Sequence, residues 1–161
     1  MDVAAWIMCS SGRMGEQPLA DLVSTVLGDL PNAEMITRWI TAVRTWNQRM
    51  DMTAARDDRE LVDLMLADAV VLGREIAADQ RVVDVGSGAG APRPFEVAVS
   101  RATLAPPAWL ALGAELAPTV WLLLAREEAP QLDGWQPTRD VSYTWPLTGA
   151  SRRLVCCAYT G

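Results

Sequence analysis

From Glu16 to Leu30 the apolar side chains fall at Leu19, Leu22, Val23, Val26, Leu27 and Leu30, the i, i+3, i+4, i+7 spacing of an amphipathic helix. Pro31 ends that pattern, and Asn32 is placed to cap a second helix. The buried face of the second helix is expected to be Met35 or Ile36, then Trp39, Ile40, Val43 and Trp46. A polar break, Asn47 to Thr53, follows. Asp58 opens a third helix, with carboxylates in its first turn where the helix dipole favours negative charge. It runs through Leu61, Leu64, Met65 and Ala69, and a further turn or short helix reaches Ala77. These stripes read as core packing.

At Arg81 the period shortens. Arg81-Val82-Val83-Asp84-Val85 reads as a buried strand that feeds directly into Gly86-Ser87-Gly88-Ala89-Gly90. Phe95 to Ser100 reads as another strand, and Pro106 to Leu116 as a helix with proline tolerated in its first turn. Val120 to Leu124 is a third apolar run of strand length. Val141–Thr144 and Arg152–Tyr159 look like two more strands joined by a Pro-Leu-Thr-Gly turn. Helices first, then strands around a glycine loop, predict an α/β fold with an N-terminal helical cap.

Composition adds limits. A chain of 161 residues, 50% hydrophobic and 21% charged, predicts one domain with room for a small attached subdomain. No apolar run reaches the ~18–20 residues of a bilayer span, so no membrane partner is expected. Met1 to Gly12 has no basic stretch before its apolar patch, so a secretory signal is not expected. Cys9, Cys156 and Cys157 form neither a metal spacing nor an even disulfide framework, which suits a reducing cytoplasm. No metal is expected.

Histidine is absent, and all 14 basic residues are arginine. Ser-His-Asp, Cys-His and His-ligated metal mechanisms are thereby excluded within the chain, as are a Walker lysine and a Schiff base. The chemistry left is that of carboxylates, hydroxyls, backbone groups, arginine and a bound cofactor. A formal charge of −6 argues against a broad electrostatic grip on nucleic acid, though not against a local arginine patch. The arginine bias itself reads as genomic base composition, and the seven tryptophans read as core rather than as stacking platforms.

A strand that ends in an acidic residue and runs into Gly-x-Gly-x-Gly lets backbone approach a ligand closely. Such loops hold nucleotides or S-adenosylmethionine at the carboxyl end of a sheet. The blocks around this one sharpen the reading. Trp46-Asn47-Gln48-Arg49-Met50-Asp51-Met52-Thr53 resembles the "W-N-x-x-x-N-L-T" signature of one methyltransferase family, and Arg56-Asp57-Asp58-Arg59-Glu60-Leu61 resembles its next helix start. Val83-Asp84-Val85-Gly86-Ser87-Gly88-Ala89-Gly90-Ala91-Pro92 is similar to its "L-D-V-G-S-G-A-G-F-P-G" loop. Phe95-Glu96-Val97-Ala98-Val99-Ser100-Arg101-Ala102 is similar to its "F-D-V-V-T-S-R-A" strand. Four blocks in one order resemble the RsmG (GidB) type, enzymes that methylate N7 of a guanine in small-subunit ribosomal RNA. The resemblance covers roughly Asp21 to Leu124 and fades in the tail.

The resemblance implies a Rossmann-like S-adenosylmethionine-dependent methyltransferase fold, with residues 1–78 as a helical subdomain and 79–161 as the methyltransferase domain. It implies S-adenosylmethionine as cofactor, small-subunit ribosomal RNA or the 30S subunit as partner, and a cytoplasmic location; a monomer is expected. Carried over by position, Asp84, Gly86, Ser87, Gly88, Ala89 and Gly90 would bind the cofactor. Arg101 and Asp68 would be the catalytic residues, with Arg101 near the mouth to meet phosphate or base. The chain also departs from the family. Where relatives carry "R-H-x-x-D-S", this sequence has Leu64-Met65-Leu66-Ala67-Asp68-Ala69, and the lysine and glycine after the later strand are Ala125 and Arg126.

The largest departure lies at Pro92. Parallel strands of one sheet need a crossover of roughly ten or more residues, normally a helix. Only Ala91, Pro92, Arg93 and Pro94 separate Gly90 from Phe95, where the family has a helix, two strands and another helix. The domain is therefore truncated between 92 and 95: either residues are absent from the sequence as it stands, or the protein has lost the middle of the domain. The missing second strand would carry the ribose-binding carboxylate. Taken literally, the strands at Arg81–Val85 and Phe95–Val99 could pair as neighbours across a long glycine loop. Three functional readings follow: an RsmG-type methyltransferase, an inactive RsmG-like remnant that acts as a binding or scaffold protein, and a methyltransferase of small molecules.

Overall fold

The computed structural model describes residues 17–86, 94–101 and 103–160. The apolar stripe at the N-terminus forms α1 (Leu19–Leu27), whose Leu22, Val23, Val26 and Leu27 are buried. Leu30 lies beyond the helix and is exposed, because the chain turns at Gly28 (φ +60) before Pro31. α2 (Ala33–Met50) packs on α1 through Ile36, Ile40 and Val43. Its expected face is only half right: Met35, Trp39 and Trp46 point outward. One stripe of an 18-residue helix satisfies the contact with the shorter α1, and the other stripe finds no neighbour among the described residues. Asn32 makes no side-chain cap; it sits in the left-handed region (φ +70), as asparagine tolerates.

The loop after α2 is closed by its own polar residues. Asn47 Oδ1 accepts the Thr53 N–H at 2.6 Å, and Thr53 Oγ1 accepts that of Ala55. Asp57 then caps α3 (Asp58–Val62) by accepting the Glu60 N–H at 2.8 Å, while Glu60 accepts from Arg56 N–H, a variant of the capping box. α3 continues through a π-helical turn, Asp63–Ala67, into α4 (Asp68–Glu75).

The strands are β1 (Val82–Val85), β2 (Val97–Ser100), β3 (Thr119–Leu124), β4 (Trp135–Thr144) and β5 (Ser151–Tyr159), with α5 (Pro106–Leu116) between β2 and β3. They form one sheet in the order β1-β2-β3-β5-β4. β1, β2 and β3 run parallel, and β5 and β4 complete the sheet as an antiparallel hairpin. β1 and β2 are thus direct neighbours, Val82 opposite Val97 and Val85 opposite Ser100. A doubly wound sheet of order 3-2-1-4-5-6 has strand 1 beside strand 4. Removing its strands 2 and 3 leaves 1-4-5 adjacent and parallel, so loss of the middle need not break the sheet.

Alternate residues of each strand serve opposite faces. Val120, Leu122, Val155 and Cys157 pack under α5. Trp121, Leu154 and Cys156 pack with Val71, Leu72 and Ile76 of the α4 region on the other face. The result is an α/β/α, Rossmann-like arrangement with an N-terminal helical cap. β1 is not the buried strand its sequence suggests. It is the sheet edge, with Val82 and Asp84 exposed, because no described strand covers its outer side. Pro137 lies at a bulge in β4, the opposite edge, where its missing N–H is harmless.

The β4–β5 turn leaves the sheet and enters the helical core. Trp145 and Leu147 are buried among α1, α2 and α3, next to Leu22 and Ile40. Gly149 (φ +74) closes this turn, with the Trp145 N–H donating to Ala150 O and the Gly149 N–H to Trp145 O.

Candidate active site

The carboxyl ends of parallel strands are where α/β sheets bind ligands, because the loops there diverge and leave a crevice. Here those ends bring together Asp84, Val85 and Gly86 from β1, Ser100 and Arg101 from β2, and Leu123 and Leu124 from β3. Gly86 has φ +115, a conformation that L side chains rarely adopt, and a Cβ there would lie 2.6 Å from Thr103 Cγ2. Only glycine fits. Ser100 is buried; its hydroxyl donates to the Val85 carbonyl at 2.9 Å and meets the Thr103 hydroxyl, which fixes the end of β1 against β2.

Two cavities open here. One of about 200 Å³ lies between α4 and the sheet, lined by Met65, Asp68, Asp84, Ser100 and Arg101. The other, about 240 Å³, shares Asp68, Ser100 and Arg101 and is walled by Trp109, Glu127, Tyr143, Trp145 and Arg152. Each is smaller than the ~300–1,000 Å³ of most small-molecule sites. The shared residues make them neighbouring parts of one crevice.

Asp68 and Arg101, 33 positions apart in sequence, therefore do meet at one site. Asp68 is 5% exposed, which excludes a solvated helix carboxylate. Its Oδ1 accepts the Tyr143 hydroxyl at 2.8 Å and the Trp145 indole N–H at 2.6 Å. Burial and the bond to Asp68 push the Tyr143 phenol far above its ordinary pKa, so it stays a neutral donor. Arg101 is exposed and donates to the Leu64 carbonyl in the π-helical turn, tying the end of β2 to the helical cap. Asp84 lines the smaller cavity and Gly86 follows at the end of β1; Ser87, Gly88, Ala89 and Gly90 lie outside the described residues.

Tyr143, Trp145, Glu127 and Arg152 were not marked by the sequence. The Arg152 guanidinium lies 3.8 Å over the Trp145 ring, a cation–π contact. Glu127 accepts the N–H groups of Ala125 and Arg126; its own N–H first, then those two, hold its carboxyl below the usual range, with a smaller contribution from Arg152. It remains ionised at neutral pH. The one local signal was the turn between β4 and β5, which placed Trp145 at a strand end without saying what it faces. Leu64, Met65 and Ala125, where the chain departs from the family's arginine, histidine and lysine, all line the crevice.

The residues present fit the methionine side of S-adenosylmethionine: an acidic strand end, a glycine at that end in a conformation closed to other residues, and a crevice at the sheet's carboxyl edge. The carboxylate that would hold its ribose has no counterpart among the described residues. No cluster of three or more His, Cys, Asp or Glu side chains able to hold a metal occurs among them. No described helix is long and apolar enough to cross a membrane.

Known proteins resemble this chain over its middle. Residues 32–103, from α2 to the end of β2 and just beyond, match the family model of rRNA small subunit methyltransferase G, GidB. Ribosomal RNA small subunit methyltransferase G of Chromobacterium violaceum is 36% identical over 62 residues, 38% of this chain and 30% of that protein. That of Halorhodospira halophila is 39% identical over 64 residues, 40% of this chain and 30% of that protein. The Symbiobacterium thermophilum protein of the same name is 42% identical over 62 residues, 37% of this chain and 25% of its own length. The chain spans less than a third of the length of these curated relatives. The four-block resemblance is thereby upheld: over residues 32–103 this chain is similar to the rRNA small subunit methyltransferase G family, the RsmG/GidB type.

Proposed function

We propose that this chain is an S-adenosylmethionine-dependent methyltransferase of the RsmG type, directed at a guanine N7 of small-subunit ribosomal RNA in the cytoplasm. One observation carries the reading: Asp84, Asp68 and Arg101, drawn from separate sequence blocks, border a single crevice at the carboxyl ends of three parallel strands. On this reading residues 1–78 form the helical subdomain, and 79–161 the catalytic domain, truncated between 92 and 95.

S-adenosylmethionine supplies an electrophilic methyl group. Guanine N7 already has a lone pair, so no general base is needed and alignment carries the rate. Asp84 and the Gly86 backbone hold the cofactor's methionine side, with Ser87 to Gly90 continuing the loop. Arg101 meets a phosphate or the target base at the mouth. Asp68 acts by fixing Tyr143 and Trp145, which exclude water from the inner wall.

Calorimetric titration of the folded chain with S-adenosylmethionine and with its demethylated product tests this. Saturable binding with one site is expected, followed by methyl transfer to small ribosomal subunits and not to free metabolites. Transfer to metabolites alone would favour a small-molecule enzyme. Absence of binding overturns the proposal.

A second reading has its own support. Leu64, Met65 and Ala125 give the crevice an apolar lining, and β1 is an open edge where an adenosine-side wall would stand. These features favour a catalytically inactive scaffold that binds small-subunit RNA without the cofactor. Retention of the RNA in a filter assay together with a flat cofactor titration identifies it.

A further inference from the structure

α2 carries two faces. Ile36, Ile40 and Val43 turn into the helical core, whereas Met35 (57% exposed), Trp39 (49%), Trp46 (50%) and Met50 (64%) remain open. At ~100° per residue the four exposed side chains project within an arc of about 60°, one continuous stripe along the helix. Ala42 lies beside the stripe at its middle, small enough to let another backbone approach. The Arg49 guanidinium lies 5.8 Å over the Trp46 ring and borders the stripe on one side.

The stripe is palindromic. Met35 and Met50 are equally far from the midpoint between Ala42 and Val43, and so are Trp39 and Trp46. A two-fold axis at that midpoint sets Met35 against Met50 of a second copy and Trp39 against its Trp46, the self-complementary pairing of an isologous interface. Tryptophan, methionine and arginine are also the residues that interface centres favour.

We propose that the outer face of α2 is a homodimer interface, formed by an antiparallel α2–α2 pair centred between Ala42 and Val43. The proposal differs from the monomer expected from the sequence. It stands independently of the methyltransferase reading.

Sedimentation equilibrium of the full chain across the micromolar range tests it. A monomer–dimer equilibrium is expected, and Trp39→Asp, with unchanged far-ultraviolet circular dichroism, should raise the dissociation constant by at least ~10-fold. Trp46→Asp should weaken the dimer to a similar extent, since the axis sets Trp46 against Trp39 of the other copy. A monomer at every concentration overturns the proposal, as does a dimer indifferent to Trp39→Asp. A dimer weakened by Trp39→Asp but indifferent to Trp46→Asp overturns the antiparallel register. A monomer whose Trp39 and Trp46 fluorescence is shielded on adding RNA overturns it in favour of a nucleic-acid surface.

Discussion

Asp63 and Thr148 are joined by two hydrogen bonds of 2.8 Å, from the threonine N–H and from its hydroxyl, both to Oδ2 of the carboxylate. The Leu147 N–H donates to the same carboxylate, and Arg59 donates to the Leu147 carbonyl. Asp63 is fully buried. Together with Asp68 it fastens the tip of the β4–β5 hairpin into the helical cap.

Replacing Asp63 by alanine leaves two backbone N–H groups without an acceptor in a buried turn. Such a loss costs on the order of 3 kcal/mol. Urea denaturation should show it as a lower midpoint at constant slope, with Asp63→Asn losing less because one acceptor oxygen remains. A loss below ~1 kcal/mol for the alanine variant would mean that the turn is held by Trp145 and Leu147 packing alone.

Tyr143 should resist ionisation. Burial comes first and the bond to Asp68 second, and both raise its pKa. The sign of the linkage follows: the contribution to stability is fully present below the ordinary tyrosine value of ~10 and declines as pH rises above it, because only the unfolded phenol ionises there. Absorbance at the tyrosinate band should show Tyr143 titrating only with alkaline unfolding. Tyr143→Phe should remove that step and, at neutral pH, leave Asp68 with the Trp145 bond alone.

Gly113 in α5 marks a close approach to β3. An added Cβ would lie 2.8 Å from Val120 Cγ1 and 3.0 Å from Cγ2, and Val120 is fully buried. Alanine gains up to ~1 kcal/mol in helix propensity, whereas overpacking costs ~1–3 kcal/mol. Overpacking wins because the β3 backbone cannot retreat. Gly113→Ala should lower the melting temperature, and Val120→Ala in the same chain should recover part of the loss. Additive losses in the double variant would place the clash elsewhere.

Cys156 and Cys157 are adjacent yet face opposite sides of the sheet, under separate cores. Burial raises both thiols, Cys157 to about 11. Their neutral form therefore adds stability below the ordinary thiol value of ~8.5, and the gain fades above it. In a Cys9→Ser variant a disulfide reagent at pH 8 should leave the folded protein unmodified while the urea-unfolded chain reacts at two thiols. Rapid modification in buffer would show that β5 opens.

Periodicity alone determined most of the elements. Leu22, Val23, Val26 and Leu27 are buried as their spacing requires, and Pro106 to Leu116 is helical as read. The glycine block was legible too, since Gly86 needs a backbone conformation closed to other residues. Position within the sheet was not. Val82–Val85 is as apolar as a central strand, yet it is an edge, because strand order depends on which segments are present elsewhere in the chain. Trp39 and Trp46 likewise match a buried stripe, but α2 has two apolar stripes and α1 covers one.

Asp63 and Asp68 show most clearly what tertiary structure added. Five positions apart, they would point ~140° from each other on an α-helix. The π-helical turn between them, with its i→i+5 spacing, brings both carboxylates to the side where the hairpin arrives. Their donors lie 75 to 85 residues away. Local pattern fixes which residues are apolar and where the chain turns. Which carboxylate is buried, and against what, is decided only when distant segments pack, because burial and hydrogen-bond satisfaction are properties of the assembled fold.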